Sequence, residues 1–179
     1  MAVHIRLIEK EDTDNILRWR NNPEIRSNFV FQDELTREAH ENWLDTNVKS
    51  GKAAQFIIVT DEFGDVGSAY LRDIDLRHRK AEFGIFIGED AARGKGFGNA
   101  ATLEIIKHAF RELDLNKVYL RVFTDNIAAI KNNERAGFAK EGCFAEDVII
   151  DNKPRDLIFM GLLKSQYERI NRDEKSGCR

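Results

Sequence analysis

Three glycines fall within five positions of EDAARGKGFGNAA, residues 89–101, at Gly94, Gly96 and Gly98. Glycine weakens helices and strands alike, so so dense a cluster limits what the chain can build around it. The stretch follows a strand-like run and precedes a run with helical spacing. Glycines at such a junction remove side chains and let successive N–H groups face one concavity. The dipole of the following helix adds partial positive charge, and Arg93 and Lys95 add full charges. That assembly suits a pyrophosphate; a plain flexible loop is the competing reading. A Walker-type loop needs GxxxxGK followed by Ser or Thr, which is absent. The dinucleotide fingerprint GxGxxG is not met by Gly94-Lys95-Gly96-Phe97-Gly98.

Around the glycines the chain alternates between two periods. VHIRLI (residues 3–8) alternates apolar and polar residues as a strand does. Thr13 or Asp12 can cap a short helix carrying Ile16, Leu17 and Trp19, which Pro23 interrupts, and Thr36 is an N-cap for a second helix that stops at Gly51. Residues 55–88 read as an antiparallel meander. Leu103, Ile106, Phe110 and Leu113 recur at helical spacing, NKVYLRVF is a strand, and the next helix ends at Gly137. Two strands around Asp151-Asn152-Lys153-Pro154 follow, and the polar ERINRDEKSGCR reads as a frayed end.

With 179 residues, 42% apolar and 33% charged, and no linker or repeat, the chain reads as one α/β (α+β) domain over residues 1–165 with a polar tail over 166–179. A net charge of −3 supplies no global basic field for nucleic acid or an anionic membrane, so neither is expected as a partner. Cys143 and Cys178 form no CxxC pair, and the four histidines lack metal-ligand spacing, so no metal is expected. The charged N-terminus and the lack of a membrane-length apolar run point to the cytoplasm.

In its motifs the chain resembles the GNAT N-acetyltransferases. Their acetyl-CoA signature, Q/R-x-x-G-x-G/A between a strand and a long helix, reads here as Arg93-Gly94-Lys95-Gly96-Phe97-Gly98. Downstream come VYLRVF, NIAAI and NERAGF, with Glu141-Gly142 after them. WRNNPEIR and REAHENWL resemble two branches, one acetylating ribosomal-protein N-termini and one acetylating an amino-sugar nucleotide in pseudaminic acid synthesis; the spermidine acetyltransferases look more distant. The resemblance implies a mixed twisted sheet, flanked by helices, whose strands AEFGIFIG and NKVYLRVF splay apart. The pantetheine of acetyl-CoA would lie between them along Phe86 and Ile87, with its pyrophosphate on the amides of Arg93 to Gly98 and a polar contact from Asn126. The acceptor would be a small amine or a protein N-terminus, and the protein a monomer or homodimer.

Amide formation needs a neutral amine, so a base is required at neutral pH. Glu82 is the candidate: strand parity puts it on the face of Gly84 and Phe86, and many family members use a glutamate on this strand. A solvated strand-end charge is the competing reading. His78, in the basic turn RHRK, is a weaker rival. Where many members carry a tyrosine aimed at the CoA sulfur, this chain has Asn133, which donates a hydrogen bond but is no acid. The missing tyrosine supports one alternative, a CoA-binding sensor without transfer activity; another is transfer of a longer acyl chain, distinguished by the volume beside Phe86 and Phe123. Tyr70, Tyr119 and Cys143 read as core residues. Trp19, Arg20, Asn21, Arg26 and Phe29 are candidates for acceptor recognition, with Trp43 nearby. The tryptophans also suit plain helix packing, and the arginines suit a phosphate or carboxylate.

Overall fold

A computed structural model describes residues 2–176. Strand β1 (Val3–Leu7) leads through a 3-10 turn into helices α1 (Thr13–Arg20), α2 (Pro23–Arg26) and α3 (Arg37–Trp43). The meander β2 (Ala54–Thr60), β3 (Gly64–Asp75) and β4 (Lys80–Ile87) follows, then α4 (Phe97–Arg111), β5 (Lys117–Phe123), α5 (Ile127–Arg135), β6 (Ala139–Ile150), β7 (Lys153–Leu163) and α6 (Lys164–Ser176). Local chemistry sets several boundaries. Thr36 caps α3 by accepting from the Ala39 amide, and Asn22 caps α2, where Pro23 opens the helix rather than only ending the previous one. Gly137, at φ +98°, closes α5 in the left-handed region that glycine enters without steric cost.

The described residues form one sheet in the order β1-β2-β3-β4-β5-β7-β6, antiparallel except between β4 and β5. That parallel ladder holds only Lys80↔Lys117, Ala81↔Val118 and Glu82↔Tyr119. Past this point each strand follows its outer neighbour: β4 stays paired with β3 to Ile87, and β5 with β7 to Phe123. Sheet twist then separates the two strands, because nothing pairs them across the gap. The result is the splayed cleft expected for a GNAT domain.

Each sheet face buries its own cluster. One packs Ala81, Phe83, Val118 and Leu120 against the α4 stripe of Ala101, Ile105, Ile106 and Ala109. The other packs Ile57 against Ile16, Trp19 and Ile25 of α1 and α2, with Phe29 and Phe86 at its border. Phe56 and Ile58 go to the first cluster and Ile57 to the second, as the two-residue period of a strand requires.

Two expectations change. The polar end is helical as α6, because Tyr167 lays its ring on Phe110 with centroids 5.2 Å apart and Ile170 reaches Gly137; the last three residues, with Cys178, lie outside the described residues. Cys143 is exposed, since β6 is an edge strand and contributes little to the core. No helix among the described residues is long and apolar enough to cross a membrane.

Trp19 rests directly on Gly88, where a Cβ would fall inside the indole ring. Gly88→Ala therefore has to displace a residue that is 1% exposed, and an expected cost of about 1–3 kcal/mol follows from overpacking. Urea denaturation followed by tryptophan fluorescence measures it; an unchanged midpoint would show that this contact does not constrain the fold.

Candidate active site

At the wide end of the cleft β4 gives way to a 3-10 turn, Asp90–Ala92, and then to the glycines. Gly94 and Gly96 have φ of +72° and +86°, and Gly96 is the N-cap of α4. A Cβ at either position would meet nothing within 4 Å, so packing does not demand glycine there; the left-handed backbone does. Among the described residues the main-chain amides of Gly94, Lys95, Gly96, Phe97 and Gly98 donate to no protein acceptor. They form a run of unsatisfied donors at the positive end of a 15-residue helix. The Arg93 amide differs from the expectation, because it closes the turn on the Asp90 carbonyl at 3.1 Å.

The charged side chains of this loop are engaged elsewhere. Arg93 donates from Nη1 to Glu24 at 2.6 Å and from Nε to the Ile87 carbonyl at 3.3 Å. Lys95 lies 3.8 Å from Glu62 and 4.8 Å from the Phe63 ring centroid. Phe97 is buried and turns its edge to Phe63, so it anchors the helix start and offers only its amide. The loop thus presents backbone donors first, which fits a pyrophosphate approaching closely along a chain without side chains.

Phe86 and Ile87 line the unpaired flank of β4, with Phe86 edge-on to Phe29 at 5.8 Å. On the facing side, Asn126 caps α5 by accepting from Ala129 at 3.1 Å, and its Nδ2 donates to Asn28 Oδ1 at 2.8 Å, linking α5 to the α2 loop. Asn133 is buried, and its Oδ1 has no hydrogen-bond partner among the described residues.

Glu82 occupies the fork, where the β4–β5 ladder ends. It is 5% exposed, so the reading of a solvated strand-end charge does not hold. Arg72 Nη2 donates to Oε1 at 2.8 Å; Arg121 donates from Nε to Oε1 and from Nη2 to Oε2, both at 3.2 Å. Burial pushes the Glu82 pKa up, but the hydrogen bonds and charges of Arg72 and Arg121 outweigh it, and the net shift is downward from 4.5. The group is a carboxylate held ionised by two guanidiniums.

Tyr70 lays its ring over Gly84, where any Cβ would collide with it, and Tyr119 stacks on Phe159 at 5.1 Å. Both phenols are raised in pKa, chiefly by burial, and Glu82 lies close enough to contribute. They border the fork, and their assignment to core packing alone is too narrow. Arg72 and Arg121 escaped the sequence reading. The signal was strand parity: Arg72 and Tyr119 pair directly with Glu82 on either side, and Arg121 lies two residues beyond Tyr119, on the same face.

The N-terminal candidates divide. Trp19 is buried and donates to Glu89 at 2.8 Å, and Asn21 exchanges hydrogen bonds of 2.8 and 2.9 Å with the Leu35 main chain, so the polar groups of both side chains are engaged within the fold. Trp43 likewise donates to Gln55, at 2.9 Å. Arg20 stacks on Phe29, its Cζ 3.5 Å from the ring centroid, and lies close enough to Arg26, Arg72 and Tyr70 for their charges to act on it. His78 is exposed and bonded to Asp75 at 2.7 Å in its own turn.

A parallel pair splayed open beside a helix start rich in free amides, with a buried carboxylate at the fork, defines a coenzyme A-dependent acyltransferase cleft. The chain belongs to the acetyltransferase (GNAT) domain family, which it matches over residues 3–139. It is 28% identical over 170 residues to the spermidine N(1)-acetyltransferase of Vibrio cholerae, covering 95% of this chain and 96% of that one. It is 27% identical to the acetyltransferase PseH of Campylobacter jejuni, covering 69% and 74%. The crystal structure of spermidine N-acetyltransferase from Vibrio cholerae in complex with CoA and spermine superposes with a TM-score of 0.86 at 27% identity, over 92% of this chain and 97% of that one. Coverage thus sets the spermidine-type relative ahead of the order suggested by the N-terminal segment alone. The protein is an N-acetyltransferase that uses acetyl-CoA as co-substrate and transfers the acetyl group to an amine.

Because the folded-state pKa of Glu82 is depressed, its stabilising contribution is complete above the unfolded value and is lost as pH falls through the folded one. Wild-type stability should therefore drop below about pH 4.5, while Glu82→Gln responds less steeply. Glu82→Ala should cost about 3 kcal/mol, at the lower end for a broken buried pair since the arginines keep some exposure. Urea midpoints against pH test both, and identical slopes for wild type and Glu82→Gln would refute the linkage.

Proposed function

We propose that the enzyme transfers acetyl from acetyl-CoA to a primary amine by direct attack within a ternary complex, with Glu82 as the residue that receives the amine's proton. The observation that supports this reading is one buried, ionised carboxylate at the fork of the cleft, on the same strand face as Phe86.

Acetyl-CoA supplies the thioester carbonyl carbon. The amides of Gly94 to Gly98 bind the pyrophosphate, and the unpaired flank of β4 at Phe86 and Ile87 aligns the pantetheine as an added strand would. Asn126, on releasing Asn28, contacts the same arm, while Asn133 offers a hydrogen bond without a transferable proton. The ammonium first passes one proton through water to Glu82, and the neutral amine then forms the C–N bond at the fork. As the C–S bond breaks, the nitrogen's second proton goes to the leaving thiolate, directly or through solvent, since no tyrosine stands at position 133. The acceptor class is a protein N-terminus, an amino-sugar nucleotide or another small amine. The lack of an acid at Asn133 is the observation that favours the second reading, a CoA-binding module without turnover.

Thiol release from acetyl-CoA across a panel of amines tests the assignment. Acceptor-dependent release supports transfer; measurable CoA binding with no release for any amine would favour the sensor. Gly96→Val should raise the CoA dissociation constant about tenfold or more by straining a left-handed residue and filling the anion cradle. Calorimetry reads this directly, and unchanged affinity would remove the loop from CoA binding. Since Glu82 is ionised well below neutrality, Glu82→Gln should lower kcat by about a hundredfold at every pH from about 6 to 9 while sparing acetyl-CoA affinity. Undiminished turnover would remove Glu82 from the proton path.

A further inference from the structure

The acceptor end of the cleft carries far more positive charge than its one buried carboxylate neutralises. Arg72 and Arg121 converge on Glu82 from β3 and β5, and Arg20 from α1 lies close enough to Arg26, Arg72 and Tyr70 for their charges to act on it. Asp73, exposed beside Arg72, is the further acid that acts on this group. Neither Arg20 nor Arg26 has a salt-bridge partner among the described residues. Arg20 is nonetheless held in place: its guanidinium lies on the Phe29 ring at 3.5 Å, and Nη2 donates to the Phe31 carbonyl at 2.7 Å. Its Nη1 and the Nε of Arg72 are shielded from solvent and have no acceptor.

A buried donor without an acceptor is costly, and a guanidinium fork fixed by stacking is prepared for a planar or tetrahedral oxyanion. Burial and the neighbouring arginines both disfavour the charge on Arg20, the same deficit seen from the protein side. A polycationic acceptor would add to the excess, whereas an anionic group would relieve it. We infer that the acceptor is an amine carrying a carboxylate or phosphate, received by Arg20 with Arg72 and Arg26 while the amine faces Glu82. This rests on the N-acetyltransferase reading and narrows its acceptor to anionic amines, away from polyamines.

Two measurements on the full chain test it. With CoA saturating, sodium acetate and inorganic phosphate are titrated at constant ionic strength against a chloride control, following the arginine Nε–H resonances. Saturable shifts are expected in the wild type, weakened several-fold in Arg20→Lys and absent in Arg20→Met; the anion that saturates at lower concentration identifies carboxylate or phosphate. No shift beyond chloride would overturn the inference. The second compares kcat/KM for ethanolamine with O-phosphoethanolamine, β-alaninamide with β-alanine, and spermidine. An anionic member should lead by about tenfold or more, and Arg20→Met should erase that lead mainly through KM. Parity within both pairs, or a lead for spermidine, would overturn the inference. Saturable anion binding without thiol release for any amine would instead defeat the acyl-transfer reading and leave the anion site standing.

Discussion

The parallel ladder between β4 and β5 is three residue pairs long, and the working parts of the molecule depend on its shortness. A longer ladder would close the cleft and satisfy the flank of β4 that now faces it. A shorter one would leave Glu82 without its neighbour Tyr119 and detach the two halves of the sheet. Because β5 is held by β7 along its full length, and β4 by β3 apart from a register shift beside Glu82, the opening is enforced from outside. Apolar clusters on both sheet faces then fix the angle, with α4 beneath one face and α1 and α2 across the other.

The cleft is polarised along its length. At one end successive amides at a helix start offer partial positive charge to an anion, and the side-chain charges beside them are paired with Glu24 and Glu62. At the other end the charge resides in side chains, with Glu82 gripped by Arg72 and Arg121. Burying an ion triad is seldom a gain in stability over a well-packed apolar cluster. Under the proposed mechanism its presence at the fork is a functional constraint: a carboxylate kept ionised to take the amine's proton, and guanidiniums kept in place around it.

Much of this was legible in the sequence because it is local. The glycine run, the strand before it and the helical spacing after it locate the loop of free amides at the head of α4 without tertiary information, and Thr36, Gly137 and the Asp151-Asn152 turn mark real boundaries. Parity alone assigns the face of Glu82. What sequence could not deliver depends on register. Arg72 lies 10 residues before Glu82 and Arg121 lies 39 after it, and only the pairing of three strands brings them together. The same limit explains Trp19, which rests on Gly88 just past the end of β4, and Cys143, whose exposure follows from β6 being an edge. The helical end was missed because its apolar contacts, through Tyr167 and Ile170, are sparse within a polar run.

The central claim is that main-chain amides at the head of α4, together with the unpaired flank of β4, hold acetyl-CoA in the cleft. Backbone amide resonances followed through a CoA titration test it most directly. The account predicts large, saturable shifts at Gly94, Gly96 and Gly98, with further shifts at Phe86 and Ile87, while Gly51 and Gly64, which share the positive φ but lie in other turns, stay still. Saturation with the glycine-loop amides unmoved, or with the main changes in those other turns, would contradict it.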